Sequence, residues 1–199
     1  MRDKLKLLTI FICFISLLVF FFLLFIFRDN NEIPVLDKVD PFVMNTITGE
    51  QYNLDNNKVK LVTFFYTQCP DICPMTMNDL KDLQLQLQKE ELFGTKVELL
   101  SITLDPENDS NEVISDYAKA FDANDDGWKF MRGSTDETKE VAGIFKMKYK
   151  KVSGDFISHN TVMYLMDEKN RIRGIFDMAN TKKAIDKKEI METIRKLTE

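Results

Sequence analysis

The fold is decided by residues 59–74, VKLVTFFYTQCPDICP, in which an apolar run leads directly into two cysteines. The β-branched and aromatic residues at 59–66 predict a strand with both faces largely covered. Leucine and methionine then recur at helical spacing among polar residues, which predicts a helix over residues 74–92. Cys69 and Cys73 therefore lie at a strand-to-helix turn, where their i, i+4 spacing lets both sulfurs face one site.

The rest of the chain continues this alternation of strand and helix. Residues 97–104 form a second apolar run that is stopped by an Asp-Pro pair, and a helical pattern follows at 111–121. Such an alternation predicts an α/β sheet. The further predicted elements are a short strand at 129–131, a helix at 136–146, a hairpin formed by 161–166 and 172–176, and a closing helix at 182–197.

The N-terminal segment predicts a membrane anchor. Residues 7–27 contain no charge, and a helix of that length at about 1.5 Å per residue crosses a bilayer core of roughly 30 Å. Arg2, Lys4 and Lys6 precede it, so we expect a single-pass plasma membrane protein with a cytoplasmic N-terminus and an extracytoplasmic domain. A cleavable signal peptide is the alternative, but the apolar run is too long and ends in Phe25-Ile26-Phe27-Arg28 without small residues.

Charge and organisation narrow the possible partners. We predict a cytoplasmic N-terminus at 1–6, the anchor at 7–27, a linker at 28–39 and one folded domain at 40–199. Without its first 28 residues the chain holds 23 basic and 31 acidic residues, a net charge of −8. A domain of that charge excludes nucleic acid and argues against anionic lipid as partners.

The exported part contains two cysteines, and their spacing is not that of an ordinary redox motif. In an oxidising compartment they pair unless a reductant or a metal ion prevents it. As a structural staple the bond would stabilise little, because the loop that it closes is short. Three residues separate the thiols, where a thioredoxin-like motif has two. Soft thiolates select Cu(I), or zinc among the commoner ions, but zinc normally requires four ligands.

A third ligand has one candidate, since His159 is the only histidine in the chain. It stands in a polar loop just before the strand predicted at 161–166. A lone histidine is more often a core or surface residue than a ligand. Two thiolates with one imidazole nonetheless form a set that suits copper, including Cu(II).

These features together resemble the Sco (SenC/PrrC) family. The matching pieces follow in order over residues 41–197: FFYTQ at 64–68 leading into CPDICP, SITLDPEND at 101–109, WKFMRG at 128–133, and the late histidine. The resemblance implies a thioredoxin-like fold, a central mixed sheet flanked by helices. It also implies a copper-binding domain that assists maturation of the dinuclear copper centre of cytochrome c oxidase subunit II.

The resemblance assigns copper, as Cu(I) or Cu(II), to Cys69, Cys73 and His159. Asp105 resembles the family's acidic residue near the metal loop, and an Asp-Pro turn that ends a strand explains it equally well. Ser158 and Asn160, the neighbours of the histidine, depart from the Asp-His-Ser pattern expected of the family.

A thiol–disulfide oxidoreductase is the competing function. In that role Cys69 and Cys73 form a redox pair that reduces the target's copper-binding cysteines, and His159 is not required. The two roles can coexist, because a partner's cysteines must be reduced before they accept copper. A thiol peroxidase has no separate signature in the sequence.

Three other motifs have ordinary explanations. Residues 122–127 match half of a calcium loop, but Gly133 stands where the bidentate glutamate belongs. Met75 and Met77 are interpreted as packing residues beside the thiols. The basic run KMKYKK at 146–151 is interpreted as a solvated face that an acidic partner or lipid headgroups could contact.

Overall fold

A computed structural model describes residues 2–29, 33–153 and 156–199. The chain divides into two compact units, Met1–Pro34 and Val35–Glu199. The first contains helix α1 (Arg2–Asp29). Within the described ranges no helix combines the length and the hydropathy that crossing a bilayer requires. The structure thus does not confirm the span predicted at residues 7–27.

The second unit is built on a six-stranded mixed sheet. The strands of the whole second unit, in chain order, are β1 (Asp37–Lys38), β2 (Val43–Asn45), β3 (Gln51–Asn53), β4 (Val59–Phe65), β5 (Val97–Thr103), β6 (Trp128–Met131), β7 (Tyr149–Ser153), β8 (Phe156–His159), β9 (Val162–Met166) and β10 (Arg171–Asp177). Its helices are α2 (Ile72–Lys89), α3 (Asn111–Ala120), α4 (Thr135–Ile144) and α5 (Lys187–Thr198).

The strand order of the main sheet is β1-β10-β9-β4-β5-β6. Strands β4, β5 and β6 are parallel, whereas β9 runs antiparallel to β4, β10 to β9, and β1 to β10. Strands β2 and β3 form one separate pair, and β7 and β8 form another. The predicted α/β fold with a central mixed sheet is confirmed.

The centre of the sheet explains why the cysteine turn is firmly placed. Every residue of β4 and of β5 is buried, as expected for central strands that are covered on both faces. Helix α2 lies between them in sequence and buries one apolar stripe, which includes Cys73, Met77, Leu80 and Leu87. The second cysteine is therefore the first member of the stripe that α2 packs into the core.

Several boundaries differ from the sequence-based prediction. Helix α2 begins at Ile72 and not at residue 74, since the cysteine loop itself supplies its first turn. Strand β1 lies inside the predicted linker 28–39, of which residues 30–32 fall outside the described part. Helix α5 begins at Lys187, five residues after the predicted start at 182.

Besides β1, the sequence does not predict the short strands β2, β3, β7 and β8. Strands β2, β3 and β8 have three or four residues, and β7 begins inside the basic run 146–151, which is interpreted from the sequence only as a solvated face. Their apolar alternation is too brief or too rich in lysine to be recognised. Hairpin β7–β8 ends in His159.

Candidate metal and thiol site

The two cysteines meet at the carboxyl end of β4. The backbone N–H of Cys69 donates to the carbonyl oxygen of Tyr66 at 3.2 Å, which closes a turn after the strand. The backbone N–H of Cys73, in the first turn of α2, donates to Sγ of Cys69 at 3.4 Å. No disulfide joins them; Cys73 is fully buried and Cys69 is partly exposed. Both thiols thus belong to one site, as their spacing predicted.

The two sulfurs hold their protons unequally. A hydrogen bond from the Cys73 side chain lowers the pKa of Cys69 to about 5, against the effect of burial, with help from the backbone of Asp71 and the Tyr66 hydroxyl. The same contact between the sulfurs, followed by burial, raises the pKa of Cys73. The pair therefore shares one proton, which resides on Cys73. Cys69 is the thiolate, and the positive end of α2 favours that charge.

This asymmetry predicts the course of alkylation by iodoacetamide. In a Cys13→Ser background, the native chain should take one label at Cys69, because Cys73 is buried. A thiol is a thiolate above its pKa, so the alkylation rate at Cys69 should not change with pH above about 6.5. The alkylation rate of an ordinary thiol of pKa about 8.5 rises roughly tenfold per pH unit until the pH reaches that pKa. Peptide mapping by mass spectrometry, from acidic to alkaline pH, identifies the labelled cysteine and measures how its alkylation rate depends on pH. Equal labelling of Cys69 and Cys73 would contradict the assignment.

His159 lies against the aromatic ring next to the cysteines. Its ring centroid is 6.2 Å from that of Tyr66, with the rings nearly perpendicular. Its Nδ1 lies 2.8 Å from the carbonyl oxygen of Asn160. Because a carbonyl only accepts, Nδ1 of the neutral ring carries the hydrogen and Nε2 keeps a free lone pair. The imidazole thus presents the nitrogen that a metal ion would use.

Tyr66 connects the cysteine loop with hairpin β7–β8. Its hydroxyl bonds to the side chain of Cys69 and to the backbone of Ile157 in β8, and burial raises the pKa of this phenol to about 12. Across the described part of the chain, no three His, Cys, Asp or Glu side chains are grouped closely enough to hold a metal ion. The structure thus brings Cys69 and Cys73 together, and His159 contacts the Tyr66 ring without joining the two cysteines in one such group.

Asp105 is placed as a turn residue. Its buried carboxylate accepts from Nδ2 of Asn108 at 2.8 Å and lies 3.6 Å from Nζ of Lys151 in β7. Its backbone carbonyl accepts from the N–H of Asp109 at 2.8 Å. These contacts are those of an Asp-Pro turn, and they also tie the loop after β5 to hairpin β7–β8.

Asp109 is a residue of the site that the sequence did not single out. It is fully buried and accepts from the backbone N–H of Thr67 at 3.2 Å and from the hydroxyls of Thr67 and Thr103. Burial raises the pKa of its carboxyl, although the threonine hydrogen bonds oppose that shift. Since Thr67 lies between Tyr66 and Cys69, Asp109 anchors the cysteine loop to the loop after β5.

Tyr117 of α3 completes the surroundings of the pair. Its ring stacks on that of Phe65, the last residue of β4, with centroids 5.5 Å apart. Its hydroxyl is buried and has no hydrogen-bond partner among the described residues. Burial, and then the charges of the two cysteines, raise the pKa of this phenol. No sequence signal marks Tyr117, because its helix shows only an ordinary amphipathic pattern.

The fold and the site together define a class of protein: a thioredoxin-like α/β domain with two unpaired thiols at a strand-to-helix turn. The family model described as SCO1/SenC matches residues 35–199, which is the whole second unit. The chain belongs to the SCO1/SenC family, and the resemblance predicted from the sequence is confirmed.

Two relatives are each 31% identical to the chain. A SCO2-like protein of Rickettsia prowazekii aligns over 167 residues, which cover 78% of this chain and 74% of the relative. A SCO1 protein homolog of Bacillus subtilis aligns over 160 residues, which cover 78% and 81%.

Solved structures that share the fold at 25% identity or more include BsSco and ScoI of Arabidopsis thaliana. BsSco, described as a member of the Sco family of cytochrome c oxidase assembly proteins with a disulfide switch, has a TM-score of 0.71 at 27% identity and covers 85% of this chain and 98% of its own. ScoI of Arabidopsis thaliana, crystallised with copper bound, has a TM-score of 0.66 at 25% identity and covers 79% and 98%.

Proposed function

We propose that this protein is a copper metallochaperone that assists assembly of the dinuclear copper centre of cytochrome c oxidase subunit II. The observation that carries the proposal is the pair of cysteines at the end of β4, which no disulfide joins and in which both the backbone N–H and the side chain of Cys73 donate to the sulfur of Cys69. Sulfur donors of this kind select Cu(I). The proposal is supported by two similar proteins, one described as an oxidase assembly factor and one crystallised with copper.

In this proposal copper is cargo held by Cys69, Cys73 and His159. Cys69 already favours the thiolate, whereas Cys73 must lose its proton when the ion binds. His159 supplies Nε2, while its Nδ1 stays bonded to the Asn160 carbonyl, an arrangement that orients ligand imidazoles in metal sites. Strands β7 and β8 pair with each other and not with the main sheet, so His159 can approach the sulfurs by a movement of the hairpin alone.

The location of the protein is part of the same proposal. Residues 7–27 anchor the chain in the plasma membrane as a single pass, with the N-terminus in the cytoplasm and the copper-binding domain outside. The uncharged length of that segment and the basic residues before it support this topology. The copper site then faces the compartment in which an oxidase subunit can receive the ion.

Copper titration of the wild type beside His159→Ala tests the ligand set. Loss of the imidazole should weaken Cu(II) binding at least about 100-fold, since even an outer partner of a metal ligand contributes 10- to 100-fold. Cu(II) is followed by its thiolate absorption bands, and Ser158→Ala, a neighbouring exposed change, is the matched control. If His159→Ala bound copper unchanged and still lost oxidase assembly, His159 would not be a ligand.

A thiol–disulfide oxidoreductase remains the second candidate, because one exposed thiolate beside one buried thiol suits that chemistry. The Cys69 thiolate attacks a partner's disulfide, forms a mixed disulfide and releases one partner thiolate. Cys73 then loses its proton and attacks Sγ of Cys69, which forms the Cys69–Cys73 disulfide and releases the second partner thiolate. The substrate for a test is a disulfide-bonded peptide with the target's copper-binding cysteines, and failure at every redox poise would remove this candidate.

A further inference from the structure

A cleft beside the site has no role in the copper or thiol chemistry. It lies between the loop after β5, the start of α4 and hairpin β7–β8, and it encloses about 340 Å³. Its apolar lining comes from Leu104, Pro106, Tyr149 and Ile157, and its charged lining comes from Lys139, Lys150 and Lys151 together with the acidic residues Asp105 and Glu107. We call this feature the hairpin cleft. Its volume lies at the lower end of the range of cavities that bind ligands.

Three lysines against two acidic residues give the lining of the hairpin cleft a small positive charge, opposite in sign to that of the domain, and one of the acids, Asp105, is paired with Lys151. Residues 29–199 carry a net charge of −8, yet residues 146–151 contain four lysines and no acid. Within the described ranges Lys150 has no ion pair, and Lys139 has only an exposed contact of 3.7 Å with Asp136. Exposed pairs of that kind contribute little, so both ammonium groups are available to a partner. A local positive edge on an acidic domain attracts acidic segments and orients them.

The hairpin also exposes apolar side chains next to these lysines. Val152, in β7 with Lys150 and Lys151, is 59% exposed, and Phe156, in the paired strand β8, is 52% exposed. An exposed aromatic residue among basic residues, beside a concave apolar lining, is typical of a surface that binds protein. A flat lipid surface cannot enter the cleft, which favours a polypeptide over a membrane as the occupant.

We infer that the hairpin cleft docks a partner segment in which acidic residues flank one aromatic or large aliphatic side chain. The apolar side chain enters between Pro106 and Tyr149, and the flanking carboxylates pair with Lys139 and Lys150. Tyr149 stands opposite His159 in the hairpin register, so an occupant that contacts Tyr149 touches the cross-strand neighbour of the imidazole. The purpose of the docking, which is to bring a partner to Cys69, rests on the proposed function. Binding of the segment itself requires no copper.

The test is an NMR titration of the reduced, copper-free full chain in zwitterionic phosphatidylcholine nanodiscs. The probe is the blocked peptide Asp-Glu-Phe-Glu-Asp, and its controls carry Lys in place of all four acids or Ser in place of Phe. The probe should shift the amide signals of residues 104, 105, 107, 149–151 and 157 in a saturable manner. Each control peptide should bind at least about tenfold more weakly, because charge and apolar burial each contribute.

Paired charge reversals locate the surface. The double variant Lys139→Glu, Lys150→Glu should bind the probe at least about tenfold more weakly than the wild type. The control double variant Lys119→Glu, Lys188→Glu, which makes the same charge change on α3 and α5, should bind the probe as the wild type does. Equal affinity of the two double variants, or no saturable shift at a few millimolar probe, would overturn the inference. Shifts of the same amides caused by anionic phosphatidylglycerol nanodiscs without peptide would also overturn it, in favour of lipid.

Failure of docking and failure of the proposed function give different results. If docking is wrong, the Lys139→Glu and Lys150→Glu chain and the wild type bind the probe alike, and copper titrations are unaffected. If copper binding is wrong, the wild type binds the probe at the hairpin cleft and takes up no copper.

Discussion

Replacement of Cys69 and Cys73 together by serine should abolish copper binding by the full chain. Serine offers a neutral oxygen that is a poor donor for Cu(I), whereas each thiolate is a soft, charged ligand. The affinity for Cu(I) should fall more than about 100-fold. That factor is the upper end of the loss caused by removing a residue that only hydrogen-bonds to a metal ligand, and here two ligands themselves are removed. A competition titration with a chromophoric Cu(I) chelator measures the affinity of the reduced protein.

Cys13→Ser is the matched control for this experiment, because it removes the thiol of α1 and leaves the pair at the end of β4 intact. It should bind one copper ion per chain, as is expected of the wild type. A circular dichroism spectrum of each variant separates loss of ligands from loss of fold. Retention of tight copper binding by the double serine variant would contradict the ligand assignment and leave the oxidoreductase candidate.

Asp109→Ala should destabilise the second unit by about 3 kcal/mol, because it leaves donors of Thr67 and Thr103 without an acceptor and each unsatisfied buried donor costs about 1–3 kcal/mol. Chemical denaturation of the reduced, copper-free chain measures this loss. Asp109→Asn keeps one acceptor oxygen and should cost less. Asp116→Ala, an exposed change on α3, should stay within about 0.5 kcal/mol of the wild type. A loss below about 1 kcal/mol in the alanine variant would contradict this role.

The direction of the pKa shift adds a pH dependence to this prediction. Burial raises the pKa of Asp109 above its unfolded value, so the folded state binds the proton more tightly. Its contribution to stability is fully present below the unfolded pKa and is lost as the pH rises through the folded pKa. The difference in unfolding free energy between wild type and Asp109→Asn should therefore change with pH in that window. A difference that is constant with pH would contradict the shift.

The sequence predicted the elements that are long and buried. Strands β4 and β5 and helices α2 and α3 follow from apolar runs or helical periodicity, and the hairpin of β9 and β10 follows from two such runs around a polar turn. The short strands β1, β2, β3, β7 and β8 could not be predicted, because their pairing depends on hydrogen bonds to other segments and not on their own apolar pattern.

The site shows the same division between local and distant relations. Cys69 and Cys73 are four positions apart, so the turn and the helix that bring them together are readable in sequence. Asp109 lies 42 positions from Thr67, and His159 meets Tyr66 from a hairpin outside the main sheet. Neither relation leaves a pattern in one sequence, because each is set by the way that distant strands stack.

The unequal burial of the two sulfurs restricts how copies of this protein can become covalently joined. In the second unit Cys69 and Cys73 are the only thiols, and Cys73 is fully buried. An intermolecular disulfide between two such units can form only from Cys69 to Cys69. A junction made by the same residue on both sides is compatible with two-fold symmetry and cannot extend into a chain of linked copies. Intermolecular oxidation of this unit therefore ends at a dimer.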